Sequence, residues 1–195
     1  MRRALVWTAA VALVGAGVLP RTAAAQAGAS ATGMRGEILK QLDDAQKKLA
    51  DLAEATPAEK FAWRPGKGVR SVGEVYLHVA QANYFLPTLW GAKPPAGVDV
   101  QGIEKDGDDK AKTVAALKQS FDHLHKAMAA VSDAELGKSV NLFGRQGTTR
   151  EAMLILATHA HEHLGQAIAY ARMNGIVPPW TAAEQAKQGQ KKEGR

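Results

Sequence analysis

The sequence contains no cysteine among its 195 residues. A disulfide scaffold, a thiolate zinc site, an iron–sulfur cluster and a cysteine nucleophile are therefore excluded. The chain also lacks a GxGxxG fingerprint, a Walker loop and a GxSxG elbow, so it shows no sign of the common nucleotide-binding or serine-hydrolase sites. Aromatic residues make up only 6% of the chain, and they do not interleave with basic residues as in nucleic-acid-binding proteins.

The net charge of +6 is concentrated at the two ends of the chain. Residues 1–27 carry three arginines and no acidic residue, and residues 181–195 carry two more basic than acidic side chains. The segment between them is almost neutral, at +1. The pI near 9.6 therefore does not indicate a basic binding surface, and we expect no nucleic-acid partner.

Residues 1–27 have the organisation of a secretory signal peptide. Two arginines precede an uncharged run, Ala4–Leu19, and small residues with an Ala-x-Ala pattern follow it. We expect cleavage after Ala27 or Ala25 and a periplasmic or secreted mature protein. An uncleaved anchor is the alternative, but this run is shorter than the roughly 20 residues that a membrane span needs. We therefore expect no stable membrane span after signal cleavage.

The rest of the chain divides into a linker, one helical domain and a tail. Residues 28–33 are small and polar and indicate the linker, residues 34–180 form the domain, and residues 181–195 have the composition of a disordered tail. Within the domain, apolar residues recur three and four positions apart over about 34–55, 71–90, 108–131 and 149–174. This pattern predicts an all-α fold, a four-helix bundle. The long connection at 91–107 leaves topologies other than simple up-down-up-down open.

Three of the six histidines are predicted to face the same interior. His163 lies on the apolar stripe of the fourth helix, and His159 lies one turn earlier on the same face. His78 lies in the middle of the stripe of the second helix. Three imidazoles suit a borderline divalent metal and leave coordination positions for water or substrate. Gln166, three residues after His163, is predicted either to be a fourth ligand or to hold an imidazole from behind.

A structural interpretation of these histidines stays open. An H-x-x-x-H spacing is common on helices, and a histidine on an apolar stripe is often a hydrogen-bonded core residue. In that case the protein would act through its surface or as a homodimer. His123, His125 and His161 are expected on solvated polar faces.

The motifs, in their order and spacing, resemble the DinB-like superfamily of metal-binding four-helix bundles. The stretch Phe61–Pro65, the helix start Ser71–Glu74 and the following His78 are similar to the second-helix region of that family. The segment His159–Gln166 is similar to its H-x-x-x-H-R-G-Q motif, although a leucine stands at the basic position. Residues 170–179 resemble its closing segment.

The resemblance covers about residues 35–180 and implies a divalent metal held by His78, His159 and His163. Zinc and nickel are the leading candidates, with iron and manganese as alternatives. Relatives include thiol-dependent transferases and isomerases. We therefore expect an exported metal-dependent enzyme of hydrolase or thiol-transferase type, with a small-molecule substrate and no identifiable general base. A non-catalytic metal- or small-ligand-binding module is the alternative, and a homodimer stays open.

Overall fold

The structure, a computed structural model, describes residues 33–193. The described part contains five α-helices: α1 (Gly33–Ala55), α2 (Val72–Phe85), α3 (Lys110–Ala129), α4 (Thr149–Met173) and α5 (Pro179–Glu193). Two short strands, β1 (Ser139–Leu142) and β2 (Arg145–Thr148), form a hairpin. The predicted signal peptide and all of the predicted linker except Gly33 lie outside the described residues. None of the described helices is long and apolar enough to cross a membrane.

Helices α1, α2, α3 and α4 pack as a bundle around one apolar core. Both α1 and α2 pack against α3 and α4, so α1 and α2 occupy opposite corners. The fully buried side chains include Leu42, Leu49 and Leu52 of α1, Leu117, Phe121 and Leu124 of α3, and Met153 and Leu156 of α4. The all-α prediction is confirmed, with a fifth helix and a hairpin added. Because α2 and α4 are neighbours, side chains on their facing surfaces can meet.

The two ends of α2 follow from local chemistry. Ser71 and Glu74 form a capping box, in which the Glu74 amide donates to Ser71 Oγ at 3.2 Å and the Ser71 amide donates to the Glu74 carboxylate at 2.7 Å. The helix ends at Phe85, earlier than predicted, and continues as a 3₁₀ turn over Leu86–Trp90. Pro87 explains the change, because it has no amide hydrogen for an α-helical bond and its ring crowds the preceding turn.

A β-hairpin precedes α4. Its strands pair antiparallel, with Leu142 opposite Arg145. Leu142 is fully buried and packs with Ala152 of α4, which fixes the hairpin against the bundle. Each strand has only four residues, too few for a clear alternation in the sequence.

The structure differs from the expected disordered tail at 181–195, since α5 continues to Glu193. Pro179 begins the helix, a position where its missing amide hydrogen costs nothing. Trp180 packs partly buried against the core. Residues 182–191 are exposed, but alanine, glutamine, lysine and glutamate all have high helix propensity. A polar composition was thus compatible with an exposed helix as well as with disorder.

Candidate metal centre

The structure brings the three predicted histidines together between α2 and α4. The ring centroids of His78 and His159 are 5.0 Å apart, those of His78 and His163 4.7 Å, and those of His159 and His163 4.4 Å. One ring nitrogen from each residue lies within 4.8 Å of the other two. The three imidazoles that lie together are therefore the ones that helical spacing in the sequence predicted. That they bind a metal stays a prediction.

Two of the three imidazoles are each positioned by a polar contact at Nδ1. His78 Nδ1 lies 2.8 Å from Glu104 Oε1, and His163 Nδ1 lies 2.8 Å from Gln166 Oε1. Because a carboxylate accepts only, Nδ1 of His78 carries the hydrogen and its Nε2 keeps a free lone pair. The amide nitrogen of Gln166 donates to the Tyr170 hydroxyl at 3.0 Å, so its oxygen faces His163, which takes the same tautomer. Both contacts are of the kind that orients metal-ligating histidines.

The environment disfavours the charged form of His159 and of His163. Burial, together with the neighbouring His163, His78 and Arg70, lowers the pKa of His159 to about 4. Burial also lowers the pKa of His163. Neutral imidazole is the form that binds metal ions, so these ligands need not lose a proton at neutral pH. Nε2 of His159 lies 3.3 Å from Nε2 of His78, close enough for the two to share one cation.

Glu104 carries a negative charge directly behind the cluster. Its burial acts to raise its pKa, but hydrogen bonds from Arg70 and His78 outweigh burial and hold the pKa below its usual value. Arg70 binds both carboxylate oxygens, at 2.9 and 3.3 Å. The carboxylate is thus ionised and already engaged on both sides, which suits it to position His78 rather than to act as a free base.

A close contact between two backbones places Glu104. It lies on a 3₁₀ turn, Ile103–Asp106, which packs against α2. Where this segment crosses the start of α2, a methyl group at Gly73 would overlap the carbonyl oxygen of Gly107. Glycine at both positions therefore lets the connection approach closely enough for its carboxylate to reach His78. Nothing in the sequence pattern predicts the role of Glu104, because a connection of this kind carries no periodic signal.

A cavity opens beside the cluster, with a volume of about 510 Å³. His78 and His159 form part of its wall, and the remaining lining is mostly apolar. The other residues that line it are Gln81, Ala82, Phe85, Leu86, Gln101, Phe143 and Ile155. A small molecule in this cavity would contact two of the three histidines directly.

The remaining histidines make separate contacts. The ring of His123 lies against Tyr84, with centroids 5.4 Å apart, and burial lowers its pKa. His125 Nε2 lies 3.1 Å from a carboxylate oxygen of Asp43. His161 Nδ1 faces the carbonyl of Ala157 in its own helix at 2.9 Å. These three residues do not contribute to the cluster.

The donor set fits a borderline divalent ion. Three imidazole nitrogens converge, and among the described residues no other histidine or carboxylate joins their group. Three protein ligands with room for a fourth are characteristic of catalytic rather than closed structural zinc sites.

The fold and the cluster define a helical bundle with an interior three-histidine site between α2 and α4. The profile of the DinB superfamily matches residues 41–167, well over half of the chain. The chain therefore belongs to the DinB superfamily, whose members are metal-binding in general. This confirms the resemblance inferred from the sequence motifs.

A solved structure supports the same fold. A DinB-like protein from Bacillus cereus superposes with a TM-score of 0.64 at 16% identity, covering 73% of this chain and 93% of its own. A DinB-like protein from Bacillus subtilis aligns at 17% identity with a TM-score of 0.48, covering 72% of this chain and 94% of its own. A search of curated proteins finds no match.

Proposed function

We propose that this chain is an exported metal-dependent enzyme that holds a divalent ion with His78, His159 and His163. One observation carries the proposal: Glu104 and Gln166 occupy Nδ1 of two imidazoles, which leaves their Nε2 lone pairs free. Zinc and nickel are the metals we expect first, with iron and manganese as alternatives. A bound ion of this type polarises a substrate oxygen or lowers the pKa of a bound water or thiol.

The protein's own residues would supply orientation and an apolar surface. Glu104 keeps His78 in one tautomer and one ring orientation, and Gln166 does the same for His163. The mostly apolar wall of the cavity borders His78 and His159 and would contact the rest of a bound substrate. Hydrolysis and thiol transfer are the two reaction types that we propose for this arrangement.

A non-catalytic metal- or ligand-binding role is the second candidate. No aspartate or glutamate is among the residues that line the cavity. Glu104, on the far side of His78, is already paired with Arg70. A site without a free carboxylate can bind a ligand, but a proton acceptor would have to come from the substrate or from bound water.

Metal analysis of matched histidine variants tests the site. His159→Ala removes a predicted ligand, whereas His161→Ala removes a histidine on the same helix that lies outside the cluster. We expect one divalent ion per chain in the unchanged protein and in His161→Ala, and loss of the ion in His159→Ala. Equal metal content in the two variants would overturn the site. Turnover of small esters that follows the metal content would favour the enzyme over the binding module.

Export is tested on the full chain in cell fractions. Mass spectrometry of the periplasmic fraction is expected to find a protein that begins after residue 25 or 27. A variant in which both N-terminal arginines are replaced by asparagine should accumulate uncleaved. Recovery of the full-length chain in the cytoplasmic fraction alone would contradict the proposal.

A further inference from the structure

Phe143 has an unusual position at the tip of the hairpin. Among the described residues it is the one non-glycine residue with a positive φ, at 54°, and its side chain is 67% exposed. Gly144 follows at φ 92°, and its amide donates to the Asn141 side chain at 2.7 Å. Asparagine followed by glycine is the preferred pair for such a turn. A phenylalanine here carries both backbone strain and an exposed ring, which points to a use for the ring.

A second exposed phenylalanine faces it across the mouth of the cavity. The rings of Phe85 and Phe143 stack with centroids 6.5 Å apart and planes inclined by 28°. Phe85 is 40% exposed, although it lies on the apolar stripe of α2 that also carries His78. It follows His78 and Ala82 at helical spacing, so the three residues share one face of α2. That face lines the cavity, so the aromatic pair and the histidine cluster belong to one recess.

The cavity offers an apolar surface without charge. Its polar groups are the imidazoles and the amides of Gln81 and Gln101, and no lysine, arginine, aspartate or glutamate lines it. Gln81 already donates to the Val100 carbonyl at 2.9 Å. A charged molecule would therefore lose its hydration here without gaining a counter-charge from the wall.

The charged groups lie on another side of the cluster, where they neutralise one another. Arg64 pairs with Glu74 at 3.0 Å, and Arg70 pairs with Glu104 at 2.9 Å. An anionic substrate entering there would have to compete with a carboxylate for each guanidinium. The distribution of charge thus favours the apolar cavity as the substrate side.

We propose that the cavity binds the body of the substrate, an uncharged molecule with a flat apolar group that packs against Phe85 and Phe143. Its polar head would point toward His78 and His159. The inference rests on the proposed function, because it assigns a substrate class to the same site. Phe143 is then a specificity-determining residue supplied by the hairpin.

The test measures binding of three hydroxamates to the zinc-loaded protein by calorimetry. Acetohydroxamate has the metal-binding head alone, phenylacetohydroxamate adds a neutral ring, and 4-carboxyphenylacetohydroxamate adds a charge to that ring. We expect the neutral ring to tighten binding at least about tenfold, as an aromatic contact and ring burial allow, and the carboxylate to remove the gain. Equal binding of all three, or tighter binding of the carboxylate, would overturn the proposal.

Two variants assign the effect to the hairpin. Phe143→Asn removes the ring and introduces the residue that this turn prefers, so the fold is retained. Val177→Asn is the control, because Val177 is 50% exposed and lies outside the cavity. The gain from the neutral ring should vanish in Phe143→Asn and persist in Val177→Asn. Its persistence in both would refute the role of Phe143.

A metal-free measurement separates this proposal from the metal site. 1-Aminoanthracene, an uncharged fluorescent probe, should bind the metal-free protein and bind at least about fivefold more weakly to Phe143→Asn. If zinc fails to bind while the probe still depends on Phe143, the proposed function fails and the apolar site stands. If zinc binds and the probe ignores Phe143, the substrate assignment fails alone.

Discussion

The Glu104→Gln substitution should weaken zinc binding by about ten- to a hundredfold, or roughly 1.4–2.7 kcal/mol. Glu104 is not a predicted ligand, but its carboxylate accepts the Nδ1 hydrogen of His78 at 2.8 Å. Glutamine can present either an oxygen or an amide hydrogen to the ring, so the tautomer with a free Nε2 is no longer enforced. The substitution also leaves the Arg70 charge beside the site without its partner, which disfavours a cation.

Glu74→Gln is a closely matched control. The Glu74 and Glu104 side chains are each 26% exposed, and each is paired with an arginine that is 40% or 41% exposed. Only Glu104 touches a histidine of the cluster, and glutamine can replace glutamate in the capping box that Glu74 forms. Competition with a chromogenic chelator gives the zinc affinity, and thermal melting of the metal-free proteins checks the fold. If both variants bind zinc equally, then Glu104 does not position His78.

Three further outcomes follow from the same geometry. Metal-free protein should lose about 1–2 kcal/mol of stability as the pH falls from 6.5 to 4. Below pH 6.5 His159 binds a proton in the unfolded chain, whereas in the folded chain its pKa is about 4. Urea titrations should show that the free energy of unfolding depends less on pH in His159→Gln. Gly73→Ala should lower the free energy of unfolding by about 1–3 kcal/mol and weaken zinc binding, because the added methyl group displaces the segment at Gly107. Urea denaturation would measure the stability and chelator competition the zinc affinity. Unchanged values would contradict the close approach of the two backbones. Gln166→Ala should weaken zinc binding about tenfold by removing the acceptor for His163, which calorimetry would detect.

The periodic part of the sequence predicted which three histidines lie together. Met153, Leu156, Ala160, His163 and Tyr170 share one stripe in the sequence, and all are buried on the inner face of α4. A helix of this length has a fixed angular period, so the spacing of histidines determines which face they share. The convergence with α2 also followed, because both stripes had to face one core.

The parts that the sequence did not predict are those fixed by contacts between distant segments. Glu104 reaches His78 across 26 positions, in a connection with no periodicity. Phe85 fits the apolar stripe of α2, yet it is 40% exposed and lines a cavity beside α4 and the hairpin. The hairpin was missed because a four-residue strand gives too little pattern, and its Phe143 contradicts the usual turn preference. A residue that conflicts with the conformational preference of its own turn is expected at functional sites rather than in the core.

The two sides of the cluster have opposite chemistry, and this division explains why each residue type stands where it does. Behind His78, the ionised carboxylate of Glu104 fixes the imidazole, and Arg70 balances the charge of that carboxylate. In front of it, the cavity is neutral and apolar, and an aromatic pair borders its mouth. A cavity of low polarity strengthens the electrostatic effect of a bound ion on a substrate, whereas charged groups in the cavity would compete with the substrate for that ion. In a chain without cysteine, histidines held in this way would offer a metal ion neutral ligands, with neither a thiolate nor a negative charge in the cavity.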